Sequence, residues 1–332
     1  MDSKIAHDMN NTDININGKG NSKAHPAKRF RTRLLLPVIA ALTIISGCSN
    51  SKIFLSPVYN RLDDQMLNEF NKLGDFNKDQ LAAFKQRLGT YHVWHRQSEL
   101  PQYSALLRKI VVSIETRNTT EGQVGEWVDE SETYTKALRE CHPVNYSYDL
   151  MKTLTDDQLN FIQRRFGRER KINREKYFAQ TAEQRVERRY KNIIKWTGRL
   201  GFDFTDKQKI ILMQTLQKQV SLRKEYYKLS DRWNRKLFLL AKRQESPSYN
   251  RDMEAHVQSL WTLLEDGYTI EWESNRQLWR KFGFQFVDSM TGDQRKKASI
   301  WMTRLAKTLD SIAKDKPTFE VTKDPTLGCL VE

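Results

Sequence analysis

Few residues of this 332-residue chain are typed and spaced for covalent or acid–base chemistry. Ser221-Leu222-Arg223-Lys224 and Ser311-Ile312-Ala313-Lys314 each set a serine and a lysine one helical turn apart, the spacing at which a lysine can take up a serine proton. Neither has the companion signatures such a nucleophile needs, and both fall in charged stretches that read as helix. His92 and His95 also stand one turn apart and could share a metal ion. No carboxylate or cysteine lies at matching spacing, however, and His95 extends an apolar stripe, so the pair reads as packed or hydrogen-bonded histidine. GxSxG, HExxH, GxGxxG, P-loop and EF-hand patterns are absent. The expectation is a chain that is not an enzyme and that uses no metal or cofactor.

The cysteines carry more information. Residues 34–45 hold no charge, follow Lys28, Arg29, Arg31 and Arg33, and run into Ile45-Ser46-Gly47-Cys48, which together have the three parts of a secretory signal. An apolar run of this size covers about 18 Å as helix, short of the roughly 30 Å hydrocarbon core, so a membrane-spanning anchor is disfavoured. The tetrad resembles the lipobox of bacterial lipoproteins. That resemblance implies cleavage before Cys48, lipidation of its thiol and new amino terminus with palmitate-type chains, and export. By the sorting rule of enteric bacteria, Ser49 in place of an aspartate next to the cysteine implies the outer membrane, with the body facing the periplasm. That compartment permits disulfides. Cys141 and Cys329 either pair, closing a loop of roughly 190 residues, or stand as two free thiols.

Charge is the third source of function. The net charge is +15, and seven basic against three acidic residues precede Cys48, which leaves +11 on the mature body. Residues 164–199 contain thirteen basic and four acidic residues, an excess of +9. The plain reading is a solvated helix face with local ion pairs. The sharper reading is a positive belt, with Arg164, Arg165, Arg168, Arg185, Arg188 and Arg189 as its anionic-surface binding residues. Nucleic acid is excluded as a partner by the compartment. Anionic lipid, lipopolysaccharide phosphates and unfolded envelope proteins are the partners that compartment offers.

Helices must position these groups. Apolar residues recur at helical spacing along Leu81, Phe84, Leu88, Tyr91 and His95, and along Leu106, Leu107, Ile110 and Ile114. Leu100-Pro101 marks a helix boundary, with the proline in the first turn of the next helix. Thr120/Gln123, Thr155/Gln158, Thr181/Gln184, Thr205/Gln208 and Thr291/Gln294 match the capping box, and Asn77/Gln80 is a looser sixth. Phe76, Leu154, Phe204 and Met290 precede four of these caps; Leu81 and Leu159 complete hydrophobic staples that Lys209 and Arg295 do not. Residues 205–244 and 248–287 contain no proline and could each form one unbroken helix approaching 60 Å. Trp272 and Trp279, seven apart, share a face with Phe282 and Phe286; core packing is the favoured reading of that face and an exposed apolar groove the alternative.

The expected fold is all-α: an elongated antiparallel helical bundle with two long helices in the C-terminal half. Residues 1–47 form an N-terminal extension and signal peptide, 48–60 a tether, 61–316 the helical body and 317–332 an extended tail.

Two resemblances bear on role. Leu154-Thr155-Asp156-Asp157-Gln158 matches the LTxxQ motif of the Spy and CpxP periplasmic chaperones, with Phe204-Thr205 and Met290-Thr291 as variants. The motif is also a plain capping box, so it admits a chaperone reading without establishing one. More of the chain is similar to an uncharacterised family of proteobacterial outer-membrane lipoproteins. That likeness rests on the lipobox, Tyr59-Asn60-Arg61-Leu62-Asp63, Trp94-His95-Arg96 with Glu99-Leu100-Pro101-Gln102-Tyr103, Arg188-Arg189, and Trp196-Thr197-Gly198-Arg199-Leu200. It implies a location and a helical fold but no activity. The function expected is a non-enzymatic binding or chaperone-like envelope module; a periplasmic hydrolase acting on an envelope component is the alternative.

Overall fold

The computed structural model describes residues 52–199, 201–265, 267–316 and 324–330, so Cys48 and the segment before it lie outside the described residues. Thirteen α-helices carry the chain among them: α1 (Lys52–Tyr59), α2 (Leu62–Asn71), α3 (Lys78–Trp94), α4 (Leu100–Thr116), α5 (Glu121–Glu140), α6 (Tyr148–Lys152), α7 (Asp156–Phe178), α8 (Ala182–Arg199), α9 (Asp206–Lys218), α10 (Arg223–Ala241), α11 (Tyr249–Gln258), α12 (Thr269–Asp288) and α13 (Gly292–Ala313). No strand occurs among the described residues. The fold is all-α.

Capping boxes start the helices as their local chemistry dictates. Complete boxes, with the side chain accepting from the N3 amide and the N3 glutamine accepting from the cap amide, are present at Asn77, Thr120, Thr155, Thr205 and Thr291. The same reciprocal bonds join Thr181 and Gln184. Four boxes also pair across the fold. Gln80 and Gln158 exchange side-chain amide bonds of 3.2 and 2.9 Å, and Gln208 and Gln294 exchange bonds of 3.1 and 2.9 Å. Each glutamine also donates to the backbone just before its partner's helix, at Thr153, Asp75, Ser289 and Asp203. The apolar residues preceding these four caps, Phe76, Leu154, Phe204 and Met290, are all buried.

Around the first pair, α10 and α11 bring Trp233, Leu237, Met253 and Val257 onto Phe76, Leu154 and Leu159. Trp233 and His256 lock these two helices together: the indole donates to His256 O at 2.8 Å, His256 Nε2 lies 2.9 Å from Trp233 O, and the rings stack at 4.8 Å. Around the second pair, α9 sets Leu212 and Leu216 against Phe204, Phe282 and Phe286, with Val186 and Tyr190 of α8 on the other side. Trp279 packs into this core while Trp272 is exposed, so the aromatic face of α12 is mainly core. Gly283 gives α12 room to approach α5, since a Cβ there would stand 3.2 Å from Val124.

From Lys78 to Thr116 the backbone stays helical. The boundary read at Leu100-Pro101 is a π-helical turn, His95–Glu99, joining α3 to α4. Proline removes an amide and its ring crowds the carbonyl four residues back, and a wider turn relieves both without ending the helix. Beside this rod, α13 packs along α4. Ser104 is fully buried there and donates to Ala306 O at 3.1 Å, its small side chain allowing close approach.

Two expectations need correction. Residues 48–60 are not a tether throughout: residues 52–59 are helix α1, because Leu55 and Tyr59 find an apolar seat on Leu100, Leu305, Leu309 and Ile312. Only Ser49, Asn50 and Ser51 separate Cys48 from that helix. The two proline-free segments are also not continuous. Residues 205–244 break between α9 and α10, where the Asn275 side chain accepts from Val220 N and donates to Val220 O, both at 2.9 Å, and so satisfies backbone groups a helix would have paired. Residues 248–287 break between α11 and α12. The long helices of the C-terminal half are therefore α12 and α13, with 20 and 22 residues.

Candidate functional site

The π-turn aims polar side chains inward. His92, His95, Arg96, Glu99 and Tyr103 follow one another at i, i+3, i+4, i+7 and i+11 along the rod, and Tyr59 at the end of α1 and Asn60 just after it cover them. Tyr59, His92, His95, Arg96 and Glu99 are all buried. The Tyr59 hydroxyl lies 2.9 Å from His95 Nδ1, and its ring packs 4.6 Å from that of His92. Arg96, 1% exposed, donates to Asn60 Oδ1 at 2.5 Å and to Ile312 O at 3.2 Å, and stands 5.0 Å from the Tyr59 ring centroid. One buried guanidinium thus ties α1 and the end of α13 to the π-turn.

Burial sets the protonation of this hub. It holds His92 down to about 4 and His95 down to about 3, with the charge of Arg96 pushing both the same way. Burial also raises the Glu99 carboxyl and lifts the Tyr59 and Tyr103 hydroxyls far above the ordinary phenol range. At neutral pH both imidazoles are uncharged. Tyr59 keeps its proton, and its hydroxyl shares one hydrogen bond with His95 Nδ1. His95 Nε2 and His92 Nε2 meet no hydrogen-bond partner among the described residues. Glu99 and Tyr103 act on one another: the side-chain hydrogen bond between them opposes the rise of the Glu99 carboxyl and adds to the rise of the Tyr103 hydroxyl. The hub is closed to solvent and acts as a polar lock between helices. Its His92–His95 pair is packed around a tyrosine.

Sequence reasoning identified the two histidines and missed Arg96, Glu99 and Tyr103 as their companions. The polar residues at helical spacing on an otherwise apolar face were the available signal. Tyr59-Asn60 and the stretch from Trp94 to Tyr103, which carry the likeness to outer-membrane lipoproteins, are the segments that meet here.

Cys141 and Cys329 form a disulfide, with Cα atoms 5.2 Å apart, beside Tyr91 and Trp94. It fastens residues 324–330 to the end of α5. Gly328, at φ 157°, brings that segment against Thr90, where a Cβ would stand 3.1 Å from the threonine methyl. Ser221 sits in the α9–α10 break and bonds the Tyr177 hydroxyl at 2.9 Å, so it does not share a helix with Lys224.

The basic belt lies on α7 and α8 and divides into two groups. Arg165 bonds Lys72 O and pairs with Glu169. Arg185 donates to Gln180 O at 2.5 Å and lies 4.5 Å from the Tyr177 ring, closing the end of α7. Arg189 bonds Gln219 and lies 6.0 Å from the Trp279 ring. Arg170 and Arg174 share Asp231 of α10. These side chains brace the α7–α8 hairpin. Arg164, Arg168, Lys176, Arg188 and Lys195 are exposed and make no ion pair among the described residues. Phe161 and Ile172, 44% and 41% exposed, share the outer stripe of α7 with Arg164 and Arg168.

The Family of unknown function (DUF6279) matches residues 72–269, a span that takes in the rod, the first glutamine pair and the belt. No curated protein and no solved structure matches the chain.

Proposed function

The chain belongs to the Family of unknown function (DUF6279), and on that premise we propose that it is a non-enzymatic binding module, anchored in the outer membrane through lipid at Cys48, that engages acidic, phosphate-bearing surfaces of the envelope through α7 and α8. One observation carries this reading: exposed, unpaired cations interleaved with exposed apolar side chains on one helical stripe. Cations drawn to phosphate and apolar groups that enter the headgroup boundary are the two elements of interfacial binding. Each surface cation contributes about 1 kcal/mol near an anionic membrane at low salt. An anchor at Cys48, next to α1, would hold the belt at high effective concentration above the bilayer. Among the described residues no helix is long and apolar enough to cross a membrane.

The test is binding of the body from Ser49 onward to anionic and neutral vesicles. Binding to anionic vesicles at low ionic strength, release as salt rises, and loss in a variant carrying Arg164→Glu, Arg168→Glu, Arg188→Glu and Lys195→Glu support the proposal. Arg185 is left intact because its guanidinium closes a helix end. Equal binding by parent and variant, or none by the parent, overturns it.

A further inference from the structure

A second concentration of positive charge lies on other helices. Between the end of α4 and the outer face of α13 an open groove of about 590 Å³ is lined by Arg117, Arg295, Lys296, Arg304 and Lys307 against one carboxylate, Glu115. Arg295 is committed to structure, since its guanidinium donates to Ile114 O, Val287 O and Asp288 O. Arg117, Lys296, Arg304 and Lys307 are exposed and make no ion pair among the described residues. Lys296, Arg304 and Lys307 fall on one stripe of α13, so the charge converges on one channel.

Two further observations indicate a ligand. Ser299 lines the groove, is 5% exposed, and its hydroxyl meets no partner among the described residues. A buried hydroxyl without a partner inside a cationic groove is a donor placed for an anion. Arg117 ends α4 in the left-handed region at φ 56°, the only non-glycine at positive φ among the described residues. Glycine fills that position without strain. The arginine instead sends its guanidinium across to the first turn of α13, 4.0 Å from where a Cβ on Gly292 would stand. The strained cap therefore supplies one wall of the groove.

We propose that this groove binds a phosphorylated organic anion. Arg117, Lys296, Arg304 and Lys307 hold its phosphate charge, Ser299 donates at the floor, and Ile300, 43% exposed, takes its carbon skeleton. The site shares no residue with the α7–α8 belt and does not depend on it. A groove of this size accommodates a small molecule or the headgroup of a phosphorylated lipid.

Calorimetry on the full-length protein in neutral detergent tests this, with pyrophosphate as one probe and micelles doped with phosphatidic acid as the other. Binding of either probe that weakens at least tenfold in Lys296→Ala/Arg304→Ala/Lys307→Ala supports the site. Pyrophosphate binding identifies a soluble phosphate, and micelle binding alone identifies a headgroup. Arg117→Gly guards against misfolding: it relieves the cap, so the thermal midpoint holds or rises while binding weakens several-fold. The belt variant Arg164→Glu/Arg168→Glu/Arg188→Glu keeps parental affinity for pyrophosphate, and the micelle titrations are run with and without the groove substitutions in that belt-variant background, where the pull of α7 and α8 on anionic surfaces is removed. Pyrophosphate binding, or micelle binding in the belt-variant background, that the groove substitutions leave unweakened, loss of pyrophosphate binding in the belt variant, or no binding of either probe overturns the proposal.

Discussion

Gln208 and Gln294, 86 residues apart, bond each other through both side-chain amides while each amide oxygen also accepts from the cap N–H of its own helix. Gln80 and Gln158 repeat the arrangement 78 residues apart. Each glutamine thus serves a local cap and a long-range join at once, and removing one leaves the other with buried, unmet polar groups.

Gln208→Ala should therefore cost about 2–3 kcal/mol, because a lost cap and a stranded amide add. Gln184→Ala removes only an exposed cap and should cost about 0.5–1 kcal/mol. Urea denaturation of both variants checks this, and equal losses would mean that the pairing contributes nothing.

Buried histidines should make the fold sensitive to acid. Burial holds His142 down to about 4, alongside His92 at about 4 and His95 at about 3. Above the ordinary imidazole value of about 6.5 both states are neutral and this stability is fully present; as pH falls toward 4 the unfolded chain takes up protons that the folded chain refuses. Each such histidine withdraws up to about 1.4 kcal/mol per pH unit in that window. Glu99, its carboxyl raised by burial, acts in the opposite sense. A comparison with His142→Asn, which keeps an acceptor for Val144 N, isolates the effect. The variant should lose less stability between pH 6.5 and 4.5, and identical slopes would show that His142 titrates normally.

The disulfide closes a chain segment with a sequence separation of 188. In the chain-entropy account a loop of that length stabilises by at most about 5 kcal/mol. Reduction should lower the thermal midpoint, Cys329→Ser should reproduce the shift without reductant, and oxidised protein should run faster on gels. Unchanged mobility together with thiol labelling of both cysteines in envelope extract would count against the bond in the cell.

Anchoring is tested at a residue outside the described structure. Cys48→Ala should abolish palmitate incorporation and leave an unprocessed precursor. Labelling that survives the change would sink the lipid-anchor proposal.

The sequence by itself determined what depends on neighbours along the chain. A capping box joins residues three apart, so all six starts were legible as threonine or asparagine followed by glutamine, and helical periodicity made the all-α class plain. The excess charge of residues 164–199 could likewise be counted. The tertiary structure decided which boxes meet, because nothing near Gln208 names Gln294. It also decided that α9 and α10 are two helices: Val220 leaves helical geometry because Asn275, 55 residues on, satisfies its backbone. The wide turn that carries the rod past Pro101 was legible only as a break, since proline permits either outcome until packing selects one. Charge count could not separate Arg185, which closes a helix end, from Arg188, which faces solvent, because that difference lies in carbonyls brought near by the fold. Tyr59, His95 and Arg96 form one hub only because α1 folds back over the π-turn, seated by the burial of Leu55 against α13. Local hydrogen bonds are written in adjacent residues, whereas the apolar burial that brings distant ones together is a property of the whole chain.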